Sequence, residues 1–354
     1  MKCKVVVTGG SGFIGSHVTD ALVEAGHDVT VVDHRVQPHR PDVAFEDIDL
    51  LDLSSVVAAT RDADHVFHLG AIASVNYAYK YPVYSTALNV MGTVNVLEAA
   101  RINGAARVYL ASTVWVYNGA PDGVTADESV PFYLNGAGHL YTSTKMTGEM
   151  LCQNYHSLYG VPFTVLRYGI PYGPRMREEL LIPIFVKKAL NGEPLTVAGG
   201  GDQYRRFVYV GDLAQAHVLA MQDCAQGQTY NLEGLRKITV LDVAHGIRRL
   251  VGDHVRIEFV PERTGDFGGR EVCAQKARRE LGWSPRVDFE DGLRRTVEWF
   301  CAKWGRRLDR SEHREPAAAS AGNGDGQSLA GRETSSSARH VRAATEVARK
   351  RASG

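Results

Sequence analysis

Tyr141 and Lys145, four residues apart in the stretch HLYTSTKMTGEM, form a pair that could move a proton. On a helix that spacing puts both side chains on one face, about 5–6 Å apart at Cβ. An ammonium beside a phenol favours the ionised phenol, which is a base. Such pairs are also ordinary helix surface, so the chemistry needs two more parts: a redox cofactor to serve and a hydroxyl partner elsewhere in the chain.

A cofactor site is written at the start. After KVVVT comes TGGSGFIGSH, in which Gly9, Gly12 and Gly15 form a Gly-x-x-Gly-x-x-Gly turn between a strand pattern and a helix pattern. Glycine lets the backbone turn tightly and approach a pyrophosphate, while a helix beginning near Phe13 points its free N–H groups at the phosphates. Eighteen residues past Gly15 the second strand ends in VVDHR, which places Asp33 where an acid binds an adenosine ribose. A carboxylate there repels a 2′-phosphate, so NAD is expected over NADP, although Arg35 stands two residues on. The hydroxyl has candidates in Ser112 and Thr113, at the end of ARVYLASTV. That end is the carboxyl edge of a strand, where ligands of doubly wound folds bind.

The elements that must position these groups alternate. KVVVTGG, DVTVVD, HVFHLG, ARVYLAS and FTVLRYG read as buried strands separated by helical patterns, which predicts a parallel sheet with helices on both faces. TALNVMGTVNVLEAARING has the apolar spacing of a long helix ending at Gly104. From Pro171 the strands thin out and Pro, Gly and Arg rise, predicting a smaller, loop-rich region, with RRFVYVGDLAQAHVLAM returning to the sheet as strand then helix. From about Arg306 the chain is poor in large apolar residues and rich in Ala, Ser and Gly, which predicts a disordered tail.

Composition sets the bounds. At 44% hydrophobic the chain can bury a proper core, and 40 basic against 40 acidic residues give no pull toward nucleic acid or an anionic membrane. No apolar run approaches ~18 residues, and MKCKVVVTGG enters a strand pattern rather than a signal peptide, so the expected compartment is the cytoplasm. The five cysteines are odd in number, scattered and never in a Cys-x-x-Cys pair, and the histidines form no helical ligand pair. Neither a disulfide framework nor a metal site is expected; His65 and His68 read as structural.

Several motifs in order resemble the extended short-chain dehydrogenases/reductases that act on nucleotide sugars, over about residues 1–305. VTGGSGFIGSH is similar to the family's opening, EDIDLLD to its adenine-contacting segment, HLGA to the stretch beneath the pyrophosphate, and NVMGTVNVLEAA carries its helix Asn at Asn89. LASTVWVY, YTSTK and QYRRFVYVGDLAQA supply the rest. The resemblance implies a doubly wound Rossmann sheet over residues 1–172, with 204–225 rejoining it, a sugar-nucleotide region over 173–305 and a tail over 306–354. It implies NAD held by Gly9, Gly12, Phe13, Ile14, Gly15, Asp33, His34, Arg35, Asp47, Ile48, Leu69, Gly70, Ala71, Asn89, Ser112, Tyr141, Lys145 and Tyr168.

It also implies a nucleotide-diphosphate sugar, UDP-linked, as substrate and a homodimer as the assembly. Thr113 would hydrogen-bond the reacting oxygen, and Lys145 with the positive nicotinamide ring would lower the Tyr141 pKa so that the phenolate takes a sugar proton. Around the substrate would lie Ser74, Val114 and Trp115, with Arg205 and Arg263 on the diphosphate. Family dehydratases carry Asp-Glu after this Thr, and nucleotide-glucuronate decarboxylases a Glu at the second position. Here Val114 and Trp115 stand there, and neither moves a proton, so 4-epimerisation of a UDP-hexuronate or a UDP-hexose is the economical expectation, with a decarboxylase, dehydratase or ketosugar reductase of the same family as the alternative. LRYGIPYGP has Ile170 where relatives often have Asn. Beyond it, GPRMR offers Arg175 and Arg177, a pattern similar to that in enzymes of nucleotide-linked hexuronates, where one arginine would meet the uronate carboxylate.

Overall fold

In the computed structural model, which describes residues 2–261 and 271–308, Val5, Val6 and Val7 in the first strand are all buried. A strand apolar on both faces needs a layer on each, and the structure supplies both. Six strands, β1 (Lys4–Thr8), β2 (Asp28–Asp33), β3 (Ala44–Asp47), β4 (His65–His68), β5 (Arg107–Thr113) and β6 (Phe163–Tyr168), join in parallel. Beyond them lie β7 (Ile170–Tyr172), β8 (Leu195–Ala198), β9 (Tyr204–Arg205), β10 (Phe207–Tyr209), β11 (Gln228–Leu232), β12 (Ile238–Thr239) and β13 (Ile257–Val260).

The main sheet has seven strands in the order β11-β6-β5-β4-β1-β2-β3. The chain runs outward from β1 through β2 to β3, then returns to β4 on the other side of β1. That reversal opens a crevice at the carboxyl ends of β1 and β4. One face is covered by α1 (Phe13–Glu24) and the other by α2 (Leu53–Ala59), with α3 (Val75–Lys80) and α4 (Pro82–Thr86) following β4. Next come α5 (Gly92–Asn103) and α6 (Leu140–Tyr159). Val5 and Val7 pack with Val18 and Leu22 of α1, whereas Val6 packs with Val96 and Leu97 of α5.

The long helix expected to end at Gly104 does end there, with Gly104 left-handed at φ 69, but it is not uniform. Between α4 and α5 the residues Ala87–Met91 form a π turn, one residue wider than an α turn, and Asn89 sits in it. A second core beyond Pro171 is built by α7 (Leu181–Leu190), β8, α9 (Val240–Val251) and α11 (Phe289–Lys303), with Ile182, Val197, Ile247 and Phe300 at its centre.

Of RRFVYVGDLAQAHVLAM, the helix α8 (Val210–Leu219) packs beside α1 on the main sheet, with Leu213 and Ala216 in the shared core. Its strand differs from expectation: β10 pairs with β7 outside the main sheet, and the strand that joins the sheet is β11, beside β6. β11 is flanked by α10 (Gln275–Leu281). Most of the segment read as a disordered tail, from residue 309 on, lies outside the described residues. Among the described residues no helix is long and apolar enough to cross a membrane.

Candidate active site

The glycine turn is closed by contact. Gly9 is left-handed at φ 70, and a Cβ there would lie 2.6 Å from the Gly70 nitrogen; a Cβ on Gly15 would lie 2.0 Å from the Gly9 carbonyl oxygen. Any side chain at either position would push the turn open. Gly12 is the N-cap of α1 and offers no side-chain cap, so the first N–H groups of the helix are left for an anion. At the end of β2, the Asp33 carboxylate accepts from the Ser11 N–H (3.0 Å) and the His34 N–H (2.8 Å). Burial pushes its pKa up, and those hydrogen bonds oppose the rise.

Behind the turn runs a hydrogen-bond chain whose direction can be worked out. Thr93 Oγ1 donates to the Asn89 carbonyl (2.6 Å), so toward His68 Nε2 (3.0 Å) it must accept. Burial holds His68 neutral, with its pKa down at about 3. Its Nδ1 is therefore an acceptor, taking the Thr8 hydroxyl proton (2.8 Å), and Thr8 Oγ1 accepts the Gly70 N–H (3.2 Å). Asn89 continues the chain: its amide clamps Ile72 at both N–H (2.7 Å) and carbonyl (3.0 Å), and donates to Thr144 Oγ1 (3.0 Å). Thr144 in turn donates to the Tyr141 carbonyl (2.8 Å). One line of polar groups thus joins the phosphate turn to the first turn of α6.

That turn of α6 opens at His139, whose ring accepts the Thr142 N–H (3.3 Å). Tyr141 and Lys145 share a helix face as the spacing requires, with the Lys145 nitrogen 5.8 Å from the Tyr141 ring centre. The ammonium donates to the Ala111 carbonyl at 2.8 Å, and burial lowers its pKa to about 8, against an opposing pull from Glu149. Burial raises the Tyr141 pKa to about 12, and the cation that opposes the rise is Arg177. Across from the pair, Thr113 ends β5 with its hydroxyl accepting the Trp115 N–H (3.2 Å), and the Trp115 ring stands edge-on to Tyr141 at 6.1 Å. Tyr141, Lys145, Thr113, Trp115 and Arg177 line one cavity of about 550 Å³ that runs back to Asp33.

A family model described as NAD dependent epimerase/dehydratase matches residues 5–232. The chain belongs to this family. Over 306 residues it is 35% identical to UDP-glucuronic acid decarboxylase 1 of Danio rerio, spanning 84% of this chain and 72% of that relative. Among solved structures it is similar to a UDP-glucose 4-epimerase of Thermotoga maritima with UDP-glucose (TM-score 0.78, 30% identity, 85% of this chain and 99% of that one). It is likewise similar to a UDP-glucuronic acid 4-epimerase of Bacillus cereus in complex with UDP-glucuronic acid and NAD (TM-score 0.76, 28% identity, 85% and 99%). Epimerases and decarboxylases stand at similar distances from this chain.

As a member of the NAD-dependent epimerase/dehydratase family, the chain has a cavity that fits NAD. The glycine cradle leaves no room for a Cβ at Gly9 or Gly15, α1 presents an uncapped N-terminus, and Asp33 stands on the wall beyond. Phe13, Ile14, His34, Ile48, Leu69, Gly70, Ala71, Ser112 and Tyr168 lie on the same wall. Three expected contacts do not. Arg35, left-handed at φ 60, and Asp47 are joined to each other through the Arg35 N–H (2.9 Å), and Asn89 acts one layer back by holding Ile72, which does line the cavity.

Of the two arginines after Gly173-Pro174, Arg177 lines the cavity and Arg175 does not. Arg175, left-handed at φ 64, turns to α1, where it donates to Asp20 (2.5 Å) and meets both ring nitrogens of His17. Val114 and Ser74 are also off the wall: Val114 is buried in a small apolar cluster with Tyr117 and Met146, and Ser74 caps α3 by accepting the Tyr77 N–H (3.3 Å). Arg205 is off the wall too, donating to the Tyr204 carbonyl (2.7 Å). Arg263 lies outside the described residues.

Residues that the sequence did not single out complete the wall, among them Asp49, Leu50, Tyr84 and Leu180. Asp49 and Leu50 lie within EDIDLLD, and Tyr84 closes the run YAYKYPVY with its four tyrosines, so both stretches carried a signal. Asp33 has two neighbours to serve, and this shapes a test. Asp33→Ser is expected to narrow the preference for NAD over NADP in equilibrium binding, with some loss for both because Ser11 N–H loses its acceptor. An unchanged ratio of dissociation constants would place the selecting acid elsewhere.

Proposed function

We propose that this protein is a nucleotide-sugar 4-epimerase whose substrate is a UDP-linked hexuronate, UDP-glucuronate and its C4 epimer, rather than a neutral hexose. The observation that carries the reading is Arg177: it lines the cavity as a second cation beside Lys145, its charge acts on Tyr141, and its one ion pair among the described residues is a half-exposed contact with Glu179 (3.4 Å), so a negatively charged sugar substituent has a partner near the reacting centre. Bound NAD supplies a hydride acceptor at C4 and the source from which hydride is returned. The protein's own groups do the rest. Thr113 Oγ1 holds the C4 oxygen, and Tyr141 takes its proton and gives it back. Lys145, seated on the Ala111 carbonyl, presents a charge at the floor of the cavity.

Trp115 gives the sugar an apolar wall against which the 4-ketose can turn over about its bond to the diphosphate, so that hydride returns to the other face. Val114 and Trp115 offer no acid or base for elimination or for protonating a decarboxylated carbon, and this supports epimerisation over the activity for which the Danio rerio relative is named. The assembly we propose is a homodimer, supported by exposed Val83 and Met91 before α5 and exposed Met150 and Leu158 on the neighbouring α6. Light scattering at a monomer mass would remove it.

The test of the reaction is the product. Purified protein incubated with UDP-glucuronate and no added reductant should yield the C4 epimer by NMR, approaching the same mixture from either side. A UDP-pentose as main product would establish a decarboxylase in its place, and conversion of UDP-glucose alone would move the substrate to a neutral hexose.

A further inference from the structure

Behind the candidate catalytic pair lies a buried ion pair that none of the roles above uses. Glu149 stands one turn beyond Lys145 on α6 and Arg167 stands on β6 beside Tyr168; each is about 5% exposed, so neither charge meets solvent. Arg167 donates to both oxygens of Glu149, by Nε (3.0 and 3.1 Å) and Nη2 (2.7 Å), and Ser112 Oγ donates to Glu149 Oε1 at 2.5 Å. The guanidinium also meets the Tyr117 hydroxyl and lies over the rings of Tyr117 (4.9 Å) and Phe132 (5.3 Å).

Stability alone is a poor reason for such a pair, because well-packed apolar residues of similar volume commonly do as well or better. Its orientation is more telling. Glu149 sits on the Lys145 side, within i,i+4 reach, and Arg167 is drawn away over two aromatic faces. Successive residues of β5 serve both groups: the Ala111 carbonyl receives the Lys145 ammonium and the Ser112 hydroxyl goes to Glu149.

We propose that Glu149 is a positioning residue for Lys145, its carboxylate, fixed by Arg167 and Ser112, keeping the buried amine charged and seated on the Ala111 carbonyl. The inference rests on the same site as the proposed reaction but not on which sugar is turned over. The groups around Lys145 are few. Its own helix offers Tyr141 and Glu149, β4 offers His68, which burial keeps neutral, and β6 offers Arg167 behind Glu149 and Tyr168, whose phenol burial holds protonated. Arg177, on the same cavity wall, is paired with Glu179. Glu149 is the anion among them. Without it, burial and the uncompensated Arg167 cation behind it both act against the charged amine, and Lys145 loses its proton at lower pH.

Carbon-13 NMR of the full-length protein labelled at lysine Cε reads this directly, with no substrate present and with Lys145→Arg identifying the signal. Glu149→Gln should lower the Lys145 midpoint by about one unit or more, a tenfold or greater loss of ammonium over amine at a given pH. Glu149→Asp, which keeps the charge, should bring the midpoint back toward that of the unmodified protein. The alkaline limb of the turnover profile should move down with it in Glu149→Gln. Because that variant leaves Arg167 uncompensated, the double variant E149Q/R167M takes its place if it does not fold, with a smaller shift in the same downward direction expected because Glu149 is the nearer of the two charges to Lys145. An unshifted midpoint in the charge-less variant, or one in Glu149→Asp as low as in Glu149→Gln, overturns the proposal. Loss of epimerisation with the shift intact would bear on the reaction and leave the role of Glu149 standing.

Discussion

Tyr141→Phe should cut turnover by a factor of at least ~10² while leaving NAD and substrate affinity close to their original values. Only the hydroxyl is lost; the ring that packs edge-on to Trp115 remains. The size of the effect follows from the state of the phenol. Burial raises its pKa to about 12, so near neutral pH it is protonated, and it becomes a base only as positive charge gathers around it. Arg177 supplies part of that charge, and Phe has nothing to ionise. Product formation by NMR, with bound NAD counted after denaturation, separates this from a binding defect. Near-native turnover would falsify the assignment of Tyr141.

Arg177→Ala should weaken UDP-glucuronate far more than UDP-glucose. Arg177 is partly exposed and also meets Glu179, so losing its charge-assisted bond costs roughly 1.5–3 kcal/mol, which corresponds to about tenfold to somewhat over a hundredfold in affinity. The chemistry adds a second sign. Oxidation of a hexuronate at C4 makes a β-keto acid, which loses carbon dioxide once its carboxylate is free to rotate, so the variant should also release some UDP-pentose. Arg175→Ala is the control that the structure itself provides. It removes the clamp on His17 and Asp20, and should lower the melting temperature while treating charged and neutral sugars alike. Equal losses for both sugars in Arg177→Ala would assign that arginine to the phosphates instead.

The sequence was most legible where the chemistry is local. The glycine turn, Asp33 at the end of its strand and Tyr141 with Lys145 on one helix face all lie in contiguous stretches whose spacing points to one site once they are read together, and the five apolar strands stand out as short runs of large apolar residues. Three things were not readable. β3, with the sequence AFED, is a largely exposed edge strand and so has no apolar run to mark it. The direction of Arg175 depends on a left-handed backbone angle that nothing in GPRMR signals, so the choice between two arginines needed the fold. The setting of Lys145 is non-local: its charge answers to Glu149, which is tied to Ser112 on β5 and Arg167 on β6. Asn89 was found by its motif, but its work, clamping Ile72 across a π turn, depends on a widening of the helix that apolar spacing does not encode.

The place of β11 has a consequence for how the chain is made. Spatial neighbours in the sheet are not made in succession: β6 ends at residue 168, and the strand that pairs with its open flank does not begin until residue 228. While the intervening residues are being synthesised, β6 presents a row of unpaired N–H and C=O groups from six buried positions, the kind of edge on which another chain can pair. The nascent protein is therefore most vulnerable when its glycine turn, Thr113, Tyr141 and Lys145 have all been made. The half of the chain that holds those groups is not a minimal enzyme, since its sheet is closed by a strand encoded well beyond it.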